Sequence, residues 1–283
     1  MTTYAVTGAT GGLGAAAVAA LRTKGVPASD IVAIVRDAGK AESLAADGVV
    51  VRVAPYEDPD ALTAALTGVD RLLLVSSPTV GQRTAQHTNV INAAAAAGVG
   101  VIAYTSLVNA PDSPLGLADE HRETEALLAD FGGDHILLRN GWYWENFLAN
   151  VEPAAANGAL LGAAGTGRVA GAARAELGEA AAAALIDGTP AVYELGGPSA
   201  SYADLAAAIG ESTGTTVVYR DLPVEDYREA LLEAGTPDGL AAFLAETDAG
   251  IAQGALDTSS PSLEQLLGRT PGTFADTLRN SRV

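Results

Sequence analysis

The sequence predicts an α/β protein: a doubly wound parallel sheet carrying a smaller C-terminal α/β lobe. Three observations predict it. Short apolar runs alternate with helix-spaced segments through the first half of the 283 residues. The first run, Tyr4–Thr7, leads into three glycines, Gly8, Gly11 and Gly14, and an alanine-rich segment follows. From about residue 141 the alternation fails, and a glycine-rich stretch, Gly162–Gly171, takes over. Alternation of this kind calls for helices on both faces of a parallel sheet.

The glycine turn comes first. A buried strand, a tight turn and a helix start make a seat for a dinucleotide diphosphate. Glycines let the backbone approach the phosphates, and free N–H groups at the helix start favour the anion. The spacing is Gly-x-x-Gly-x-x-Gly, not Gly-x-Gly-x-x-Gly, and a glycine trio alone also describes an ordinary flexible turn. The strand before it and the helix after it favour the nucleotide. Leu13, Ala17, Ala20 and Leu21 give the helical spacing over 13–24.

Ile31–Val35 is a short, largely β-branched apolar run, read as a buried parallel strand. It ends at Arg36, where the ribose-selecting residue should sit. An acid there would accept from the 2′-hydroxyl of NAD, whereas Arg36 offers a donor fork to a 2′-phosphate. Lys40, one helical turn on, adds a second positive charge. The other reading of Arg36 is a solvated arginine at a strand end. The cofactor expected from this position is NADPH (NADP).

The rhythm continues with a helix near 38–47, a strand at 49–53, a helix at 58–66 and a strand at 71–75. A helix over 82–97, a strand at 101–104, a helix at 119–129 and a strand at 135–138 complete six strands joined by five helices. These elements predict a Rossmann-type domain over residues 1–140. The alanine runs 93–97 and 180–184 read as close-packing helix segments, since alanine is the strongest helix former. The stretch Asn140–Phe147 then holds both tryptophans and one of the four phenylalanines. Downstream, 175–185 reads as helix and 191–195 as a strand that can return to the main sheet. Residues 141–283 are read as a smaller lobe capping the substrate.

Composition narrows the function. The formal net charge is −18, from 16 basic and 34 acidic residues, so no basic face is on offer for nucleic acid. No apolar stretch is long enough to span a membrane, and no basic segment precedes the first apolar run, so neither membrane insertion nor export is expected. Cytoplasm is the default compartment. Without cysteine there is no disulfide, thiol chemistry or cysteine-ligated metal. His87, His121 and His135 are scattered over different predicted elements, so the expected metal count is none.

In an open sheet, ligands bind beyond the carboxyl ends of the strands. Here those ends are Thr7, Arg36, Ser76-Ser77-Pro78, Tyr104-Thr105-Ser106 and Arg139-Asn140, a polar set suited to lining a nicotinamide. The chain has only Lys24 and Lys40 as lysines, and neither stands four after a tyrosine. A Tyr-x-x-x-Lys pair, which would lower a tyrosine pKa for protonating an alkoxide, is therefore absent. The acceptor should need no strong acid. A quinone qualifies, because hydride addition leads to a weakly basic hydroquinone anion. His121 and Glu125 share a helix face, which reads as a structural ion pair first and a pocket edge second. Trp142 and Tyr143 serve equally as core or as ligand wall.

These stretches together resemble the NmrA-like branch of the atypical short-chain dehydrogenase/reductases, and within it the bacterial NADPH-dependent quinone oxidoreductases. Val6–Gly14, Ile31–Arg36, Val80–Arg83, Ile102–Leu107, Ser113–His121 and Leu138–Tyr143 carry the resemblance. It implies flavin-free hydride transfer from NADPH to a quinone or a similar electrophile, in a cleft between the two lobes. Gly8, Thr10, Gly11, Gly12, Leu13 and Arg36 match the cofactor-contacting positions, and Ser76, Ser77 and Thr105 fall along the nicotinamide. Asn140, Trp142 and Tyr143 fall at the substrate side. Tyr104, Asn140 and Tyr143 are the candidates for catalysis, with Trp142 and His121 at the substrate pocket. Pro55 stands where the branch has an acid near the adenine, which leaves Tyr56 or Asp58 for that contact. The alternatives are a non-catalytic NADP(H) sensor of the NmrA type and a same-fold reductase of imines or ketones. A monomer or homodimer is expected.

Overall fold

The computed structural model describes residues 1–281. Its first half runs β1 (Tyr4–Thr7), α1 (Gly12–Thr23), β2 (Ile31–Val35), α2 (Glu42–Ala46), β3 (Val50–Val53) and α3 (Pro59–Leu66). It continues with β4 (Arg71–Leu74), α4 (Arg83–Ala97), β5 (Val101–Leu107), α5 (Leu117–Ala129) and β6 (Asp134–Asn140). A 3₁₀ turn, Ala38–Ala41, precedes α2, so the helix expected near 38–47 is split. β5 and β6 run further than their apolar cores. Thr105, Ser106 and Leu107 pair with Leu138, Arg139 and Asn140, and the ladder carries polar side chains that find partners beyond the sheet edge.

Beyond β6 come α6 (Val151–Asn157), β7 (Ala159–Gly162), β8 (Arg168–Ala170), α7 (Arg174–Asp187) and β9 (Ala191–Leu195). The chain ends with β10 (Ser199–Ser201), α8 (Tyr202–Thr213), β11 (Val218–Asp221), α9 (Val224–Glu233), α10 (Asp238–Ala252), α11 (Ser262–Leu267) and α12 (Phe274–Asn280). β9 does return to the main sheet, pairing parallel with β6 and giving the order β3-β2-β1-β4-β5-β6-β9. Four further short strands form two small pairs, β10 with β8 and β11 with β7. Of these, β7 and β8 lie at or within the glycine-rich stretch, where three or four residues are too few to show a period.

Alternation along each strand sorts side chains to the two faces. Tyr4, Val6, Ala33, Leu73 and Ile136 pack beneath α1 and α7; Ala5, Val32, Leu72, Ile102 and Tyr104 pack beneath α3 and α4. The alanine-rich helices α1 and α7 lie unusually close: a Cβ on Gly178 would stand 2.6 Å from the Ala16 methyl. This close seam sets the two helix starts side by side, and the site depends on it.

The later segment has its own core of Trp144, Phe147, Tyr202 and Phe274. Asp248 is buried there, accepting from the Tyr202 hydroxyl and from the Ala163 N–H at 2.8 Å. Burial pushes its carboxyl up to about 6, against the hydrogen bonds from Tyr202 and Ala163, and the nearby Asp221 adds to the rise. The folded state thus binds this proton more tightly than the unfolded chain, whose carboxyl has the ordinary value of 3.8. The stabilisation is present at low pH and is lost as pH rises from about 4 through about 6. Unfolding free energies of the protein and of Asp248→Asn should therefore diverge on acidification. Between about pH 7.5 and about pH 4.5 the unsubstituted protein should gain about 2 kcal/mol on the variant, read from urea melts.

Candidate active site

Strand order reverses between β1 and β4, and there a cavity of about 690 Å³ opens beyond the carboxyl ends of β1 to β4. The glycine turn forms one wall. Gly8 sits at φ +57°, a left-handed conformation that a Cβ disfavours, and its carbonyl accepts from the Gly11 N–H at 2.9 Å. A Cβ on Gly14 would collide with that same carbonyl. α1 starts with no capping side chain and no acid in its first turn, so its positive end is open to an anion. Thr10, Gly11, Gly12 and Leu13 all face the cavity, as their place in the turn implies.

At the end of β2, Arg36 and Lys40 both line the cavity, with Asp37 between them occupied in capping the 3₁₀ turn through Gly39 N–H at 2.9 Å. At the end of β3 stand Ala54, Tyr56 and Glu57. The Tyr56 hydroxyl donates to Val75 O at 3.0 Å, and burial pushes it up to about 12, so it stays a neutral phenol. Asp58 does not line the cavity; it caps α3 by accepting from Ala61 N–H at 2.9 Å. Tyr56 is thus the one of the two expected residues that reaches this wall. Glu57, which the sequence reading did not single out, reaches it too and accepts from Gln86 Nε2 at 2.6 Å.

The loop after β4 brings in Val75, Ser76, Ser77 and Pro78, and it is tied from behind on every side. Ser76 N–H donates to Thr105 Oγ1 at 2.8 Å, so Thr105 stands one layer behind the wall and fixes Ser76. Ser77 N–H donates to His87 Nε2 at 3.0 Å, which leaves the His87 proton on Nδ1 to donate to Thr124 Oγ1 at 3.0 Å. Thr124 in turn donates to Glu120 O at 2.8 Å. Burial, helped by Arg83, lowers His87 to about 3, so this tautomer persists at neutral pH. Arg83 Nε donates to Ser77 O at 2.8 Å, and the Ser77 hydroxyl donates to Gln86 Oε1. Glu120 closes the clasp, accepting from the N–H groups of Gly81 and Arg83 at 3.0 and 3.1 Å.

The three candidates for catalysis fall in different places. Tyr143 lines the cavity. Burial raises its phenol above the ordinary value, partly offset by the Asn140 amide and the Arg174 charge, so it is a neutral donor. Asn140, at the end of β6, is buried beside that phenol, close enough to act on its charge, yet neither amide atom makes a hydrogen bond of good geometry. An unmet buried polar group costs about 1–3 kcal/mol, a cost that a hydrogen-bonding ligand would remove. Tyr104 is wholly enclosed and off the cavity wall, with its hydroxyl 2.7 Å from His121 Nδ1.

His121 is also buried, which lowers it to about 3, with Arg83 and His87 adding to the effect. It is therefore neutral. The ion pair expected between His121 and Glu125 does not form, because Glu125 turns to Arg139 at 2.7 Å. Trp142 is half-buried against the core of the later segment. Trp144 and Phe147 lie inside that core, so most of the aromatic stretch is packing and not cavity wall.

Among the wall residues that the sequence reading did not single out are Glu57, Gln86 and Arg174. Gln86 is in the first turn of α4, directly after a strand-end loop, and its position was a usable signal. Arg174 opens α7. Only the alanine-rich seam between α1 and α7 hints that it meets the glycine turn.

A family model described as NAD(P)H-binding matches residues 8–188. Quinone oxidoreductase 2 of Escherichia coli is 51% identical over 277 residues, 97% of this chain and 96% of that protein. The crystal structure of an NADPH-dependent quinone oxidoreductase from Escherichia coli, complexed with NADPH, superposes with a TM-score of 0.96 at 49% identity. That match covers 99% of this chain and 100% of the other. The Citrobacter sp. triphenylmethane reductase complexed with NADP(H) gives a TM-score of 0.94 at 34% identity, over 99% and 100% of the two chains.

Proposed function

The chain belongs to the NAD(P)H-binding family, and from that premise we propose that it passes hydride from NADPH directly to a quinone or a similar electrophilic small molecule. The observation that carries the reading is the cavity at the strand-order reversal, with an uncapped helix start at one wall and Arg36 and Lys40 at another. These are the groups that a dinucleotide diphosphate and a 2′-phosphate require. NADPH, when bound, supplies the hydride.

The protein's part is to bind, orient and exclude water. The glycine turn holds the diphosphate, Arg36 and Lys40 hold the 2′-phosphate, and Tyr56 and Glu57 flank the adenine. The clasped Ser76–Pro78 loop fixes the nicotinamide side. Tyr143 and Asn140 meet the acceptor, the phenol as a neutral donor and the amide through its free hydrogen-bonding atoms. Tyr104, bonded to His121, holds the layer behind them. Positioning of this kind supplies most of what a reactive acceptor needs. Residues 141–283 cap the substrate side, apart from the α7–β9 stretch that packs on the sheet. The protein acts in the cytoplasm as a monomer or homodimer.

The test is NADPH oxidation with a simple benzoquinone, in the absence of flavin and against a no-enzyme control. Saturable, enzyme-dependent turnover is expected. Tight NADPH binding without turnover on quinones, aldehydes or imines would instead make the protein a redox sensor.

The 2′-phosphate assignment has its own test. Arg36→Ala should weaken NADPH binding by about 1.5–3 kcal/mol, about ten- to a hundredfold, and spare NADH. Calorimetric titration of both cofactors checks it, and equal losses would make Arg36 structural.

A further inference from the structure

In a chain so rich in acid, most arginines are occupied. Among the described residues, Arg22, Arg83, Arg122, Arg139, Arg168, Arg228, Arg269 and Arg279 each pair with a carboxylate. Arg52 and Arg71 are spent on backbone carbonyls. Among the described residues the remaining three arginines are Arg220, Arg36 and, at the start of α7, Arg174. Arg174 lines the cavity, yet no carboxylate lies within ion-pair distance of its guanidinium among the described residues.

Its arm is held in place. A Cβ on Gly12 would stand 3.1 Å from Arg174 Cδ, so the side chain lies across the first residue of α1. The guanidinium carbon sits 4.7 Å from the centre of the Tyr143 ring, and Nη2 donates to Asn146 Oδ1 at 2.8 Å. The Arg174 N–H is bound by the Glu145 carboxylate at 2.9 Å, which fixes the start of α7. A bond to a neutral amide and a contact with an aromatic face leave most of the five N–H donors free. The free charge lies against the wall where the helix start draws an anion.

We infer that Arg174 clamps the diphosphate of the cofactor, the second guanidinium of the site after Arg36, and that it reaches in from the segment beyond β8. This rests on the cavity being the NADPH site. Arg36 reads the 2′-phosphate, which only NADPH carries. Arg174 meets a group that NADPH and NADH share, so it contributes affinity without selecting between them. Its contact with the Tyr143 ring ties the occupied diphosphate site to the residue beside the acceptor.

The experiment is a set of equilibrium titrations on the full chain, without any acceptor, of Arg174→Gln and Arg174→Lys. NADPH and NADH should each bind about tenfold or more weaker to Arg174→Gln, with their ratio unchanged. Adenosine 2′-monophosphate, which has no 5′-phosphate, should bind as before. Arg174→Lys keeps the charge without the fork and should recover part of the loss. Unchanged NADPH affinity in Arg174→Gln would overturn the assignment, and so would an equal loss for adenosine 2′-monophosphate. The melting temperature of the ligand-free variants reports on the fold. Because no acceptor is present, an absence of quinone turnover would count against the proposed reaction and leave these binding ratios standing.

Discussion

Gly14→Ala is expected to cost the protein both its cofactor and part of its stability. The added methyl would meet the Gly8 carbonyl, and the next nearest atoms are the Gly8 carbonyl carbon and Ala9 Cα. All three are backbone, so no side chain can swing aside. Relief requires the turn to move off α1, and with it the N–H groups that face the cavity. Overpacking of this kind costs about 1–3 kcal/mol, and the displaced turn should lower NADPH affinity about a hundredfold. Melting and titration of the same sample check both halves. Gly98→Ala is the control, since that glycine at φ +78° has nothing within 4 Å of an added Cβ and lies at the far end of α4. It should lose some stability to backbone strain but keep NADPH affinity. Equal affinity losses in both would refute the role assigned to the turn.

The part of the site that was legible in the sequence is the part built from local chain direction. A glycine turn after a strand announces both its backbone shape and its place at the head of a helix, so Gly8, Thr10, Gly11, Gly12 and Leu13 could be placed on the cavity wall. Arg36 followed from its position at the end of β2, and Ser76 and Ser77 from the end of β4. The strand over 191–195 could be read, with the main sheet as one place for it, though its neighbour β6 could not. What the sequence hid is pairing across long separations. Thr105 sits at the right strand end but bonds Ser76 from behind the wall. Tyr104 and His121 read as functional because they are polar and near a strand end, yet they face each other in the interior. Charge spacing along α5 suggested His121 with Glu125. Tertiary geometry gave each a different partner, because Arg139 offers a carboxylate more than a buried neutral imidazole can.

That arginine carries the largest expected effect on the fold. Arg139 stands on β6, one residue before Asn140, and its side chain is 15% exposed. Nη2 and Nε bind the two oxygens of Glu125 at 2.7 and 3.0 Å, and Nη1 binds Glu194 on β9 at 3.0 Å. The bonds to Glu125 raise its pKa most, so the charge is fixed at any accessible pH. Glu194 also accepts from Asn109 N–H at 2.9 Å, and Asn109 reaches on to Asp257 O at 2.8 Å. The group therefore joins α5, β6, β9, the loop after β5 and the segment after α10. Arg139→Ala would leave the Glu125 carboxylate, itself 11% exposed, without its cation. Removing one partner of a buried pair typically costs about 3–5 kcal/mol, and a loss in that range is expected from denaturant melts at neutral pH. The effect should be specific to the stranded charge. If so, Arg139→Met combined with Glu125→Gln should restore much of the stability, since an apolar or neutral set in place of a buried pair is often tolerated. A double variant no more stable than Arg139→Ala would mean that the bonds themselves, and not the unpaired carboxylate, hold the strand ends together.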